Sequence, residues 1–352
     1  MTTNAYYQSD LAIHVGEFLA ETIESIGMSQ AELAKRMNRP HQAINEIVAG
    51  KKSVTPQTAL ELESVTKVPA HIWMGLETEY QMVKARQEEL KQLSKESELL
   101  PLFPYLELVK LNLVKSTRNA LEKVEELKKF FGVADLFQLS HIKAYQPAFR
   151  VGNKEKVSGE AIAAWIQTGS ILAKSIKTCP YDEQKLTMSL SAIRKLVNET
   201  DVNDAISKIK IILAECGVAL ILLPHFKKTH VHGTTFWSEN ATKAVIMMSL
   251  RGGFSDIFWF SFFHELGHIL KHDKRELFLD DGHNGDNLSK QENEANEFAS
   301  DILIPKKEYG LFVDKGVFTT TSIGQFAKTV AIKPSIVVGR LMHDKLVQFN
   351  DY

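Results

Sequence analysis

FWFSFFHELGH, at residues 258–268, is the stretch of sequence from which the fold of the C-terminal part can be worked out. The run is apolar and predicts a helix over residues 255–272. Because four-residue spacing places His264 and His268 on one face of this helix, both imidazoles can reach the same tetrahedral zinc ion. Glu265 lies beside them and points towards water bound by the metal. This is an arrangement for hydrolysis, in which Glu265 takes a proton from water and passes it to the leaving amine.

A third metal ligand is predicted on a following helix. A catalytic zinc ion normally has three protein ligands and one open position. The following helix carries ENEANEFA at residues 292–299, where Glu294 lies at the border of the buried stripe and is the preferred ligand. Glu292 is the alternative. His272, four residues after His268, is a further candidate, although a histidine at a helix end more readily stays solvated or caps carbonyl groups.

Catalysis would also require a hydrogen-bond donor aimed at the developing oxyanion. The candidates in nearby sequence are His232, His283 and Tyr309. A metzincin site is excluded, because that signature requires glycine at position 271 and histidine at position 274. The chain has Lys271 and Lys274 there.

The first part of the chain, residues 11–80, divides into five short helical segments. Ser29 begins the second segment as an N-cap, with Glu32 three residues on, which is the pattern of a capping box. Pro40 suits the first turn of the third segment, which ends at Gly50. The second and third segments together match a helix-turn-helix, in which the second of the two helices lies in the major groove of DNA.

Two kinds of contact with DNA are predicted for this helix-turn-helix. Arg, Gln and Asn side chains at the start of the reading helix can form paired hydrogen bonds with guanine or adenine. The predicted positions at this start are Arg39, His41, Gln42 and Asn45. Positions suited to phosphate contacts are Gln30, Lys51 and Lys52. Because acidic residues outnumber basic ones over residues 1–76, tight DNA binding should require a homodimer or another partner.

Length and composition indicate a modular globular protein. The chain has 352 residues, of which 44% are hydrophobic, enough for more than one core. No apolar stretch approaches the roughly 20 residues that a membrane span needs, so no membrane association is expected. The polar N-terminus lacks an export signal, which predicts a cytoplasmic protein. Cys179 and Cys216 are expected to be reduced packing residues.

Residues 11–80 resemble the Xre/Cro-type domain of HigA antitoxins. The resemblance is carried by SQAELA at residues 29–34, IVAGKK at residues 47–52 and the pair Ile72-Trp73. It implies binding to operator DNA, repression of a toxin-antitoxin operon and neutralisation of a small toxin protein.

Residues 217–305 resemble the ImmA/IrrE family of metallopeptidases. The matching motifs are HELGH at residues 264–268, EANEFA at residues 294–299 and ILIP at residues 302–305. The resemblance implies a Zn²⁺ ion bound by two histidines and a glutamate, and site-specific cleavage of repressors of the Xre type.

These observations predict a mainly α fold with a small β-sheet, which is an α+β fold. Three β-strands are expected, at residues 218–223, 231–238 and 244–250. The predicted regions are a five-helix Xre-type domain at 1–80, a helical linker at 81–104, a helical middle region at 105–216 and a zincin-like metallopeptidase domain at 217–352.

The predicted function is that of a DNA-binding transcriptional regulator with a zinc-dependent endopeptidase domain. Its substrate would be an Xre-type repressor, either a partner or the chain itself. The alternative is a HigA-like antitoxin or repressor without enzymatic activity, which binds operator DNA and a toxin and has a structural or sensory metal site. Glu265 distinguishes the two functions, because a purely structural site does not need that carboxylate.

Overall fold

The computed structural model describes residues 11–151, 157–238, 241–249, 255–272, 278–280 and 289–348. The chain forms two compact units, Met1–Ser97 and Glu98–Tyr352. The boundary between them falls within the stretch 81–104, where a linker was expected. The regions expected at 105–216 and 217–352 both belong to the second unit.

The first unit is helical throughout its described secondary structure, with the five helices that the sequence predicts. Ser29 and Thr55 cap the second and fourth helices, because their hydroxyl oxygens accept hydrogen bonds from the backbone N–H of the first turn. The fifth helix is longer than predicted. It continues through the solvated Glu-rich and Lys-rich segment that was expected to form a separate helical linker. The helices are α1 (Val15–Ser25), α2 (Gln30–Arg36), α3 (His41–Val48), α4 (Pro56–Thr66) and α5 (Ala70–Glu96).

The core of the first unit holds the helix-turn-helix in place. Its fully buried residues include Leu19, Leu33, Ile44, Leu62 and Trp73, one from each helix. Burying one such side chain stabilises the fold by about 1.5–3 kcal/mol. The core therefore fixes α3 against α1 and α2.

The second unit begins with helices and continues with a sheet followed by further helices. The helices are α6 (Tyr105–Lys110), α7 (Ala120–Phe131), α8 (Gln146–Val151), α9 (Gly159–Ser175), α10 (Glu183–Lys195), α11 (Val202–Glu215), α12 (Ser255–Lys271), α13 (Ser289–Leu303), α14 (Lys306–Val313), α15 (Thr320–Thr329) and α16 (Pro334–His343). Short 3₁₀ helices cover Ser97–Leu102, Leu136–His141 and Leu196–Asn198. α14 was not predicted, because Pro305 is as typical of the end of one helix as of the start of the next.

The sheet has four strands in the order β1-β3-β2-β4. They are β1 (Val218–Leu223), β2 (Gly233–Ser238), β3 (Lys243–Ser249) and β4 (Phe278–Asp280). β1 runs parallel to β3, while β2 runs antiparallel to both β3 and β4. The first three strands were predicted, and β4 was not, because its three residues lie in a segment expected to be a loop. β3 is buried along its whole length, as expected for a strand with neighbours on both sides.

α12 lies in the main core of the second unit. Its aromatic residues Trp259, Phe262 and Phe263 pack among apolar side chains of the sheet and of α13, α15 and α16. A Cβ atom on Gly267 would lie 3.1 Å from the Ala295 Cα, so glycine lets α12 and α13 approach closely at this level. The polar groups of α12 are thereby held against α13.

Both cysteines are free. Cys216 is buried and Cys179 is exposed, so the expected packing role fits Cys216 alone. No helix in the described part of the chain combines the length and apolar character needed to cross a membrane.

Candidate metal centre and DNA-binding face

Three buried side chains converge between α12 and α13. They are His264, His268 and Glu292, with relative exposures of 2%, 2% and 5%. One potential ligand atom from each lies within 4.8 Å of the other two. The two Nε2 atoms are 2.9 Å apart, and the Glu292 carboxylate lies 3.2 Å from His264 Nε2 and 3.5 Å from His268 Nε2. The described residues thus form a group that could hold a metal ion.

Each histidine of this cluster also has a partner for its Nδ1 atom. His264 Nδ1 lies 2.9 Å from the Asn296 side-chain oxygen, which can only accept a hydrogen bond. Nδ1 therefore carries the proton, and Nε2 is left as the ligand atom. His268 Nδ1 lies 2.9 Å from His272 Nδ1. These contacts orient both rings towards Glu292.

The preferred third ligand of the sequence analysis, Glu294, does not lie in the cluster. Its carboxylate is 3.2 Å from His272 Nε2 and its side chain is 43% exposed. The physical reason is helical geometry. Side chains two residues apart on an α-helix point in directions that differ by about 200° around the helix axis, so Glu292 and Glu294 lie on opposite faces. Glu292 instead shares the face of Ala295, three residues on, and both are buried against α12. His272 contacts the cluster from outside and is not part of it.

The charge states of the cluster suit metal binding. Burial would raise the pKa of the Glu292 carboxyl, but its close contacts with the His264 and His268 imidazoles outweigh burial and lower this pKa to about 2. Burial lowers the pKa of the His268 imidazole below its usual value. An ionised carboxylate and a neutral imidazole are the forms that bind metal ions.

Glu265 is fully buried between α12 and β2. The Thr235 hydroxyl donates a 2.5 Å hydrogen bond to Glu265 Oε2. A Cβ atom on Gly233 would lie 2.3 Å from Oε1, so any other residue there would push the carboxylate out of its present position. Neither Gly233 nor Thr235 was among the predicted site residues. The signal for Thr235 was a pair of threonines in the buried first part of a strand.

A cleft of about 950 Å³ lies beside the cluster, and its lining includes Phe260, Asn296 and Tyr309.

Tyr309 is one of the oxyanion-donor candidates, and its hydroxyl donates a hydrogen bond to Asp344 Oδ2 at 2.7 Å. Burial raises the pKa of this hydroxyl, and Asp344 adds to the shift. His232 immediately precedes β2, and its carbonyl accepts a hydrogen bond from the Ser249 backbone. His283 lies outside the described residues.

The predicted DNA contacts lie on α2, α3 and the turns that flank them. Those that are exposed are His41, Gln42, Asn45, Lys51 and Lys52, and Gln30 is half-buried at the start of α2. Gln42 donates a 2.9 Å hydrogen bond to Glu46, one turn on. Arg39 differs, because its guanidinium forms an ion pair with Glu61 on α4 and is only 23% exposed. The hydrogen bond that the Arg39 guanidinium donates to Glu61 lowers the pKa of the Glu61 carboxyl, and so does a hydrogen bond from Gln57.

The fold and the two sites define a class of protein with a helix-turn-helix DNA-binding domain and a domain of the metallopeptidase type. A family model described as helix-turn-helix matches residues 19–73, and one described as IrrE N-terminal-like domain matches residues 220–326. Virulence-associated protein I of Dichelobacter nodosus is 35% identical over 79 residues, which cover 22% of this chain and 73% of that protein. The chain belongs to the helix-turn-helix family of Xre-type proteins and carries an IrrE-like domain in its C-terminal part.

Similar solved structures include antitoxins. A HigA-family addiction module antidote protein from Coxiella burnetii is 32% identical and covers 24% of this chain and 92% of its own, with a TM-score of 0.23. The Pseudomonas aeruginosa antitoxin HigA, solved with the higBA promoter, is 29% identical and covers 23% of this chain and 90% of its own, also with a TM-score of 0.23.

Proposed function

We propose that this chain is a transcriptional regulator that binds operator DNA through its first unit and acts as a zinc-dependent endopeptidase through its second. His264, His268 and Glu292 are the metal ligands, and Glu265 is the general base. The observation that carries the proposal is the buried Glu265 carboxylate directly beside three converging ligand groups. A purely structural site would not need that carboxylate.

The three ligand groups fit a zinc ion. Ligands about 2.0–2.2 Å from a tetrahedral ion are roughly 3.3–3.5 Å from one another. The corresponding separations in the cluster are 2.9, 3.2 and 3.5 Å. Two imidazoles and one carboxylate form the ligand set of many catalytic zinc sites. The Asn296 oxygen at His264 Nδ1 orients that imidazole towards the site, as outer hydrogen-bond acceptors of zinc-binding histidines do.

The residues around the cluster can perform hydrolysis of a peptide bond. A bound zinc ion supplies Lewis acidity, which activates water and polarises a carbonyl group. Glu265 accepts a proton from the attacking water at its carboxylate and passes it to the nitrogen of the leaving amine. Thr235 holds the carboxylate in place by its hydrogen bond to Oε2. Burial of Glu265 excludes bulk water, which would otherwise weaken these electrostatic interactions.

The proposed substrate is a repressor of the Xre type, either a partner or another copy of this chain. The support is the resemblance to ImmA/IrrE metallopeptidases and the presence of an Xre-type unit in the same chain.

We further propose that the regulator acts in the cytoplasm as a homodimer. His41, Gln42 and Asn45 would contact bases, while Gln30, Lys51 and Lys52 would contact phosphates. Because Arg39 is paired with Glu61, its assigned role is to connect the turn before α3 with α4.

A second function is a regulator or toxin-binding antitoxin in which the metal site is structural or sensory. The observation that favours it is the nearly complete burial of the cluster, because structural zinc sites are closed to solvent. This function predicts metal binding that does not depend on Glu265 and no proteolysis.

The experiment that tests the proposal compares the wild type with Glu265→Gln and His264→Ala. Elemental analysis would measure zinc per chain, and cleavage would be assayed against purified Xre-type repressors and against the chain itself. We expect Glu265→Gln to keep its zinc and to lose cleavage by roughly 10²–10⁴-fold, since it removes the general base. His264→Ala should lose both zinc and cleavage.

Two results would contradict parts of this proposal. Undiminished cleavage by Glu265→Gln would rule out the assigned base. The other result is a wild type that binds zinc but cleaves no substrate, with the same zinc content in Glu265→Gln. This result would favour a structural or sensory metal site.

A further inference from the structure

The cluster occupies one end of a groove between α12 and α13. On α12, Phe260, His264 and His268 recur every four residues and therefore share one face. On α13 the matching row is Glu292, Asn296 and Ser300. His264 contacts Asn296 and His268 contacts Glu292, so the two rows run antiparallel. The position of Phe260 along the groove thus corresponds to that of Ser300.

A cavity of about 190 Å³ opens at the other end of this groove, where α16 forms a third wall. Its apolar lining residues are Ile257, Phe260, Leu303, Ile304 and Ile336. Its polar lining residues are Asp256, Ser261, Ser300, Arg340 and His343. The cavity is therefore an apolar pocket with polar groups around it, which is the usual construction of a ligand site.

The charge of Arg340 is already matched within the protein. Its guanidinium donates to Asp344 Oδ2 at 2.9 Å and to the Ser300 hydroxyl. It also lies 5.2 Å from the centre of the Tyr309 ring. Because these contacts engage the guanidinium, the cavity suits an uncharged occupant better than an anion.

The cavity and the cleft beside the cluster adjoin one another, because they share five lining residues. Phe260, Ser300, Ile304, Arg340 and His343 line both of them. The cleft also reaches Asn296, whose side chain contacts the ligand residue His264. A peptide bound along the groove could therefore place one residue at the cluster and another in the cavity.

The distance between the two ends defines which residue of a peptide would enter the cavity. The cavity residues of α12 lie about two helical turns before the two histidines, which is roughly 10 Å at 1.5 Å per residue. An extended peptide covers this length in about three residues. The size also fits one side chain, since a dry apolar cavity of about 150 Å³ holds a molecule as large as benzene.

We propose that this cavity is a substrate subsite that accepts a large apolar side chain, Leu, Met or Phe, about three residues from the scissile bond. This inference rests on the proposed peptidase function and specifies its substrate class. The substrate is a segment of chain that can extend along the groove and present an apolar anchor beside the bond that is cleaved.

The experiment uses the zinc-loaded full chain and a randomised decapeptide library, with cleavage sites located by mass spectrometry. Ser300→Leu fills the cavity from a half-buried position in its wall. Ser335→Leu, at an exposed position on α16 outside the cavity lining, is the matched control. Ile257→Ala removes part of the wall at a side chain that is 40% exposed, so it should leave the fold intact.

A second readout is independent of turnover. Labelled peptides selected from the library would be titrated against zinc-loaded Glu265→Gln protein, with and without Ser300→Leu, by fluorescence anisotropy. Burial of a large apolar side chain changes affinity by roughly tenfold to a hundredfold. We expect Ser300→Leu to weaken binding by that factor for peptides with the apolar anchor, and hardly at all for the same peptides with alanine in its place.

The expected library result is a preference for Leu, Met or Phe about three residues from the cleaved bond, lost in Ser300→Leu, reduced in Ile257→Ala and kept in Ser335→Leu. Cleavage by the wild type without such a preference would overturn the subsite and leave the peptidase function standing. If Ser300→Leu fails to fold, an unchanged preference in Ile257→Ala overturns it. Absence of both cleavage and peptide binding in the wild type would overturn the peptidase function together with the subsite.

Discussion

Glu292 and Glu294 are two residues apart and have different roles in the structure. Glu292 is buried between the two histidines, whereas Glu294 is 43% exposed and contacts His272. We therefore expect Glu292→Ala to lose bound zinc and Glu294→Ala to keep it. Removing a hydrogen-bond partner of a metal ligand typically lowers metal affinity by about 10–100-fold. Glu294 contacts His272, which is such a partner of His268, so the loss of Glu294 should affect zinc binding less.

The measurement is zinc per chain by elemental analysis after dialysis against a series of chelator concentrations. Exposed Glu297→Ala, on the same helix, is the control for changes in α13 that do not affect the cluster. Zinc lost from Glu294→Ala and kept by Glu292→Ala would show that the ligand assignment is wrong.

Thr235 lies where it can orient Glu265, the proposed general base. Its hydroxyl is buried and donates a 2.5 Å hydrogen bond to Glu265. A hydrogen bond to a charged group contributes about 1.5–3 kcal/mol, which corresponds to roughly 10–100-fold in rate. We expect Thr235→Val to lower kcat by this factor with little change in KM, because the carboxylate loses its orientation and not its access to substrate.

Thr235→Ser keeps the hydroxyl and should restore most of the activity. Zinc content should be equal in both variants and the wild type, which separates a role in orienting Glu265 from damage to the metal site. Equal kcat in Thr235→Val and the wild type would contradict the role given to this hydrogen bond.

At the level of elements, Arg194 connects α10 to the end of the ligand-bearing helix α13. Its guanidinium donates hydrogen bonds to the carbonyl oxygens of Ile302, Leu303 and Val330, at 2.7, 3.0 and 2.6 Å. The last carbonyl groups of a helix have no partner within the helix, so this side chain caps α13. We expect Arg194→Ala to lower the free energy of unfolding by about 2–4 kcal/mol.

The free energy of unfolding would be measured by urea denaturation of the metal-free protein, with exposed Arg118→Ala as the matched control. The control should change it by less than about 0.5 kcal/mol. A loss no larger in Arg194→Ala than in Arg118→Ala would show that the contacts of Arg194 do not stabilise α13.

The same helix shows how far the sequence could predict the site. The HExxH spacing was enough to place His264 and His268 on one face of a helix. The position of Glu292 was also encoded, because it precedes the buried Ala295 by three residues, but the apolar stripe alone did not say how far the buried face extends. The contacts of Thr235 and Arg194 with these helices are tertiary, and no local pattern specifies them. α14 was missed because a proline can begin a helix as well as end one.

At the scale of the whole molecule, the chain divides after Ser97 into two compact units, each with its own helices. The first has a separate apolar core around Leu33, Ile44 and Trp73. The candidate metal-binding cluster and its Nδ1 partners lie in the second. This separation implies that metal binding should stabilise the second unit and leave the first unaffected.

We therefore expect fragments 1–97 and 98–352 to fold separately. A ligand that binds only the folded state stabilises it by about 2.7 kcal/mol at one hundred times its Kd, so zinc should raise the Tm of fragment 98–352 and leave that of fragment 1–97 unchanged. Differential scanning calorimetry with zinc and with chelator would measure both, and His264→Ala in the longer fragment should abolish the shift. Fragment 1–97 should bind DNA and fragment 98–352 should not. The affinity of fragment 1–97 for DNA should weaken steeply with salt, because phosphate contacts release counterions. A zinc-dependent Tm in fragment 1–97, or none in fragment 98–352, would contradict this division, since the ligands and every contact assigned to them lie beyond residue 97.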